Sequence, residues 1–387
     1  MKGQSCFWHG DWTERIWDYL VIKYGKGESF LLLYYISGFG YGHLTRSLAV
    51  VEALLELDPK LQIILRCHPA HIPLALEYLR RFTSRVEATP FVSQFQIIFD
   101  NDKWKIDEAA TRAEVLRWVE DLSKSVAAEM QRIPGKIEAV VSDIVPEAFA
   151  VAQAAGVPGI AVSNYTWYEV AQGFCGSGDL DNLRQLYQQA TLLLKYELST
   201  GASIPIHHQV SVGLLCRPFN PERVSEIRRQ FKREGRPLVF LSVGGVLRLE
   251  RIGLCADYDY IYTRGIDPAD EIVAYPVPLK ATDTQNYLAA CDAVITKCGW
   301  STVAEALLAK KPLFVVRSAN GWVEEVSILQ KLREWHAAVE IDPSELPNMS
   351  CKPLFTPQIQ FENNVSHVAM QILRAGNREI NGELIKP

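Results

Sequence analysis

Short, uncharged apolar runs alternate with amphipathic ones along much of this chain. FLLLYYI (Phe30–Ile36) carries no charge on either face, the pattern of a strand buried in a sheet that is covered on both sides. A glycine-rich turn, Ser37 to His43, follows it. Over 44–57, Leu44, Leu48, Val51 and Leu55 recur at the spacing of one helix face, and Asp58-Pro59 closes that helix before the strand LQIILR. A βαβ unit is predicted. The rhythm returns with the strand EAVVSDI (138–144), a helix over 146–155, the breaker Gly156-Val157-Pro158 and the strand GIAVSN. Helices between buried strands imply a parallel sheet with helices on both faces.

A boundary falls within 213–235, where Arg217-Pro218, a charged helix and Glu234-Gly235-Arg236-Pro237 interrupt the pattern. The rhythm then restarts with PLVFLSVGG (237–245), AVIT (293–296), a helix over 302–308 and PLFVV (312–316). The expected fold is α/β, with two Rossmann-like domains, 1–215 and 216–387, facing a cleft. Helical spacing over 363–375 allows the last helix to pack back on the first domain.

With 48% apolar and 22% charged residues, the chain has the composition of an ordinary globular protein rather than a disordered one. A net charge of −5 gives no general attraction to nucleic acid. The N-terminus lacks the apolar core of a signal peptide, and the run at Phe30–Ile36 is too short to span a bilayer. The eight cysteines form no CxxC pair, so neither a zinc knuckle nor a disulfide framework is indicated. Cytoplasmic residence is expected.

The chemistry concentrates at two turns. In Thr296-Lys297-Cys298-Gly299-Trp300-Ser301-Thr302, a strand ends and a helix begins. Unpaired N–H groups and the dipole at such a helix start bind phosphate, and Lys297 adds a cation. Glu305, a turn further on, can accept hydrogen bonds from two ribose hydroxyls. Thr302-x-x-Glu305 also reads as a capping box that merely satisfies the helix end.

At the N-terminal turn, Gly38-x-Gly40-x-Gly42-His43 is not the dinucleotide fingerprint, because no acidic residue ends the next strand. His43 either caps the following helix or acts as a general base, a task that suits neutral imidazole. Asp143 either orients His43, as in a catalytic triad, or caps the helix after Pro146. Tyr165, Trp167 and Tyr168 follow a strand end, where aromatics either stack on a ligand or fill the core.

The segment from Lys297 to Glu305 resembles the donor-binding signature of the UDP-glycosyltransferases, His-Cys-Gly-Trp-Asn-Ser-x-x-Glu. Cys298, Gly299, Trp300 and Glu305 match in register, Lys297 stands for the histidine and Ser301-Thr302 for Asn-Ser. Further on Pro312 matches, Lys310 and Arg317 replace a glycine and a proline, and Glu324-Glu325 lies near the family's sugar-binding Asp-Gln pair. SGFGYGHLTRSL and VVSDIVPEAFAVAQAAGVPGIAVSNYTW also resemble the glycosyltransferase-like domain fused to some plant sugar kinases.

These resemblances imply the GT-B fold and sugar transfer, with inversion, from a UDP- or dTDP-sugar to a hydroxyl or amine acceptor. They imply His43 as base, Asp143 as its partner, and Gly40, Tyr41, Gly42 and the Tyr165–Tyr168 aromatics on the acceptor side. Gly244 and Gly245 of the SVGG turn would lie near the donor phosphates, with no cofactor beyond the nucleotide sugar. A nucleotide-sugar hydrolase or epimerase, or a silent binding protein on the same fold, is the alternative. The DxD triplets at Asp100, Asp179 and Asp257 follow no convincing strand, and His68-x-x-His71 lacks further ligands, so no metal is expected.

Overall fold

The computed structural model describes residues 30–99, 106–200, 204–243, 249–317, 321–351 and 359–376. Its first half contains the strands β1 (Phe30–Ile36), β2 (Leu61–Cys67), β3 (Val86–Pro90), β4 (Ala139–Asp143), β5 (Gly159–Ser163), β6 (Leu192–Tyr196) and β7 (Gln209–Gly213). Around them lie α1 (Gly40–Leu57), α2 (Ile72–Tyr78), α3 (Glu108–Met130), α4 (Glu147–Ala155), α5 (Trp167–Gln172) and α6 (Asp181–Gln188).

The second half contains β8 (Leu238–Ser242), β9 (Leu249–Ile252), β10 (Asp259–Tyr262), β11 (Ile266–Pro268), β12 (Ala274–Pro276), β13 (Ala293–Lys297), β14 (Leu313–Val316) and β15 (Val339–Ile341). Its helices are α7 (Pro221–Phe231), α8 (Thr284–Ala290), α9 (Trp300–Leu308), α10 (Val323–Glu334) and α11 (Val365–Gly376).

The first seven strands form one parallel sheet in the order β3-β2-β1-β4-β5-β6-β7. A second parallel sheet runs β12-β10-β8-β13-β14-β15, and β9 pairs with β11 apart from it. Both large sheets reverse their strand order beside the first strand, at β1/β4 and at β8/β13. Connections diverge there and leave a crevice at the carboxyl ends of the strands, where ligands of open α/β sheets bind.

Continuous apolar runs account for the central strands: β4, β5 and β8 are buried along their whole length. The chain ends by crossing back, since α11 lies against α1 and Gly376 approaches the Phe30 ring. Gly213, at φ +78°, makes room for this return, because a Cβ there would stand 2.5 Å from Asn364 Nδ2. No helix among the described residues is long and apolar enough to cross a membrane.

Two helices begin earlier than their apolar spacing predicts. α1 starts at Gly40, which enters at φ +69°, so Gly42 and His43 belong to its first turn rather than to a loop. α9 starts at Trp300 instead of residue 302. Apolar periodicity misses a first turn made of glycines and hydroxyl residues, which carry no stripe of their own.

Candidate active site

Pairing of β1 with β4 sets Ile36 opposite Asp143, so the carboxylate stands where the chain leaves β1 for α1. His43, Arg46 and Ser47 share the inward face of α1, and all three reach that carboxylate. His43 Nδ1 lies 2.9 Å from Asp143 Oδ1. Arg46 donates through Nη2 to Oδ1 at 2.6 Å and through Nε to Oδ2 at 2.7 Å, and the Ser47 hydroxyl donates to Oδ2 at 3.0 Å.

Burial pushes the Asp143 carboxyl up, but Arg46 and His43 outweigh it and hold the group well below the usual carboxylate range. An ionised carboxylate only accepts, and the Arg46 Nη2 protons are taken by Asp143 Oδ1 and Ser163 Oγ although Nη2 lies 2.9 Å from Nδ1, so the His43 proton is assigned to Nδ1 and Nε2 keeps a lone pair. Nε2 accepts from the Tyr165 hydroxyl at 3.0 Å. Burial and the Arg46 charge together lower the His43 pKa, while Asp143 works against them. Neither His43 nor Asp143 caps a helix: the caps of α1 and α4 are Phe39 and Pro146.

The second crevice is built around the start of α9. Gly299 is its N-cap and no side chain caps it, so the Thr302–Glu305 capping box does not form. Trp300, Ser301 and Thr302 carry the N–H groups that a helix start leaves without intrahelical partners. The Lys297 side chain folds over this end, its Cε 3.7 Å from where a Gly299 Cβ would stand. Among the described residues it makes no ion pair or hydrogen bond.

Glu305 instead accepts through Oε1 from Arg217 at 3.2 Å, and Arg217 also donates to Thr284. Burial raises the Glu305 pKa against the pull of Arg217. The Cys298 thiol is buried and donates to the Glu325 carbonyl at 3.4 Å.

The two crevices face each other at contact distance. Ser301 Oγ donates to the Gly42 carbonyl at 2.8 Å, one residue from His43. Trp300 donates from Nε1 to the Glu197 carbonyl at 2.7 Å and stacks on Tyr196 with centroids 4.9 Å apart. The Arg46 guanidinium lies over both rings. From the first turn of α10, Glu324 accepts from Asn164 Nδ2 at 3.1 Å, and Asn164 Oδ1 accepts from Arg46 at 2.8 Å. Burial pushes the Glu324 carboxyl up to about 7 despite Asn164, Arg46 and Lys297.

Among the aromatics singled out in the sequence, Trp167 is fully buried, with Phe39, Phe95 and Tyr165 around it, and presents no face to the cleft. Tyr168 is buried beside it, and Tyr165 reaches the site only through its hydroxyl. Gly40, Tyr41 and Gly42 are half-buried at the cleft edge, and Ser301 and Thr302 are half-buried at the start of α9. Gly244, Gly245 and the Asp100 triplet lie outside the described residues.

Sequence reasoning missed Arg46, Ser47, Asn164 and Arg217. A signal for the first two was present: an arginine and a serine three and four residues after His43, on a helix otherwise apolar on that face. Arg217 read only as linker punctuation.

Two Rossmann-like parallel sheets facing each other in this way are the GT-B fold of glycosyltransferases. No protein-family profile matches the chain. The chain is 24% identical over 357 residues to L-arabinokinase of Arabidopsis thaliana, an alignment covering 84% of this chain and about a third, 32%, of that longer protein. UGT89C1 of Arabidopsis thaliana, solved with UDP-L-rhamnose, superposes with a TM-score of 0.57 at 12% identity, covering 90% of this chain and 95% of that one. A UDP-glucosyltransferase from Polygonum tinctorium capable of glucosylating indoxyl gives a TM-score of 0.54 at 13% identity, with 92% and 95% covered.

Proposed function

We propose that this protein is a glycosyltransferase that moves a sugar from a UDP- or dTDP-sugar to a hydroxyl or amine acceptor with inversion. The observation that carries the reading is the apposition of two unlike groups. A neutral histidine with a fixed tautomer faces an uncapped helix start that holds an unpaired lysine. The first is suited to removing a proton, the second to receiving a diphosphate.

In this reading the acceptor oxygen attacks the anomeric carbon as the bond to the diphosphate breaks on the opposite face. His43 Nε2 takes up one proton as the acceptor loses one, the two exchanged through the Tyr165 hydroxyl that bonds Nε2, and Asp143 holds the ring. Charge growing on the leaving diphosphate is met by Lys297, the α9 N–H groups, Ser301 and Thr302. Glu305 takes the ribose hydroxyls through the oxygen that Arg217 leaves free, and Glu324 and Glu325 take those of the sugar. The UDP and UDP-L-rhamnose complexes of UGT89C1 support a uridine nucleotide.

Calorimetric titration tests the donor half: UDP should bind more tightly than uridine, and Lys297→Ala should remove most of that difference. His43→Ala should leave UDP binding intact and slow transfer by about 10² to 10⁴. UDP release from the right nucleotide sugar, equally fast with and without an acceptor, would mark a hydrolase instead.

A further inference from the structure

His68-x-x-His71 is too poor in ligands for a metal, yet the fold places His71 near His43 and His68 against His71. His68 follows β2 and meets Gly38, which follows β1, and Gln94, which follows β3, at the carboxyl edge of the sheet. A Cβ on Gly38 would stand 2.8 Å from Gln94 Oε1 and 3.0 Å from His68 Cβ. The His71 ring packs between those of Tyr41 and His68, with centroids 4.9 and 5.6 Å away. Its pKa is pushed down to about 4 by burial and by the nearby His68 and His43.

These groups are short of partners. His71 Nδ1 is buried and bonded to nothing. His68 Nδ1 accepts from the Ala70 N–H at 3.2 Å, which leaves its proton on Nε2, facing no protein acceptor among the described residues. The Tyr41 hydroxyl and the Gln94 amide, both half-exposed, also lack hydrogen bonds among the described residues. The set has donors and acceptors but no carboxylate, lysine or arginine. Tyr165 and Trp167, the larger aromatics on this side, are sealed in the core and offer no face to a flat apolar molecule.

We propose that Tyr41, His68, His71 and Gln94 form an acceptor subsite for a neutral polyhydroxylated molecule, a saccharide or polyol, presented to His43. This rests on the glycosyltransferase reading for its role, while the recognition chemistry stands on the unpaired groups. Imidazole nitrogens, a phenol and an amide suit hydroxyls because between them they offer both donors and acceptors.

Saturation-transfer NMR on the full chain tests it with cellobiose, myo-inositol, glucuronate and 4-methylumbelliferone, alongside a separate titration with UDP. Cellobiose or myo-inositol should bind in preference to the other two. His68→Asn, which keeps an acceptor for the Ala70 N–H, and Gln94→Ala should each weaken that binding by roughly threefold to tenfold, with UDP affinity unchanged. Tighter binding of 4-methylumbelliferone, polyol binding indifferent to both variants, or no polyol binding by a protein that binds UDP each overturns the proposal. Loss of UDP binding alone, with polyol binding still dependent on His68 and Gln94, overturns the transferase reading and leaves the subsite standing.

Discussion

The Arg46 guanidinium approaches His43 Nδ1 to 2.9 Å while it grips both oxygens of Asp143. An isolated histidine–aspartate pair would favour the imidazolium. Here the charge of Asp143 is already compensated, so it fixes the tautomer of His43 more than it raises its basicity. The imidazole is held neutral.

That arrangement sets a pH dependence. The His43 pKa is lowered from its ordinary 6.5, so the acid limb of kcat/KM should fall below pH 6.5. Arg46→Gln should move the limb upward, because the cation opposing imidazolium is gone; an unmoved limb would sink the account. In stability, the unfolded chain binds the His43 proton first as pH falls through 6.5, so this group destabilises the fold on the acid side. The depressed Asp143 acts in the same direction further down, below the ordinary 3.8.

Glu324 works with the opposite sign. Its carboxyl is raised from 4.5 to about 7, so in that window the folded state holds more protons than the unfolded one. Stability from this group is therefore present at low pH and lost as pH rises through 7. Glu324→Gln keeps an oxygen for Asn164 and removes the ionisation. Melting temperatures of the two proteins should agree near pH 5 and separate at pH 8, with the variant higher by the equivalent of roughly 2–3 kcal/mol. Parallel melting curves across pH would show that Glu324 is not held in this buried state.

Much of this was legible in the sequence because parallel strands buried on both faces announce themselves as uncharged apolar runs. β1 matches its predicted bounds, and several others differ by one residue at an end. The glycine turn gave His43, and the strand end gave Asp143. What was not legible was the third dimension of charge. Nothing in the spacing tells that Arg46 reaches Asp143, 97 residues away, or that Arg217 crosses to Glu305, 88 residues away. Such pairs are set by strand order and by closure of the two halves, to which local periodicity is blind.

Glu305 now needs a different test from a simple deletion. Arg217 is almost wholly buried, so Glu305→Ala strands a guanidinium and should cost about 3–5 kcal/mol of stability, the usual effect of breaking a buried pair. The double variant Glu305→Ala with Arg217→Met should recover much of that loss, because the unpaired charge is gone. If Glu305 holds ribose, UDP affinity measured on the folded double variant should remain weaker than wild type by about 1.5–3 kcal/mol. Affinity restored together with stability would confine Glu305 to a structural pairing.

In the proposed transfer Tyr165 stands in the path of the proton. Its hydroxyl already occupies His43 Nε2 at 3.0 Å, and its ring is buried against Trp167 and Trp322, so it cannot swing aside for an acceptor. In that reading the acceptor proton passes to the Tyr165 oxygen as the tyrosine proton passes to Nε2. No tyrosinate forms, which agrees with a phenol pKa pushed well above its ordinary value by burial and by Glu324. Tyr165→Phe keeps the ring packing and breaks the relay, so kcat should fall by about tenfold to a hundredfold, within the usual reach of acid–base catalysis. Acceptor KM should change little, because the hydroxyl serves the proton and not the fit. A variant with kcat intact and a lower acceptor KM would mean that the hydroxyl only competes for Nε2, and that acceptors reach His43 directly.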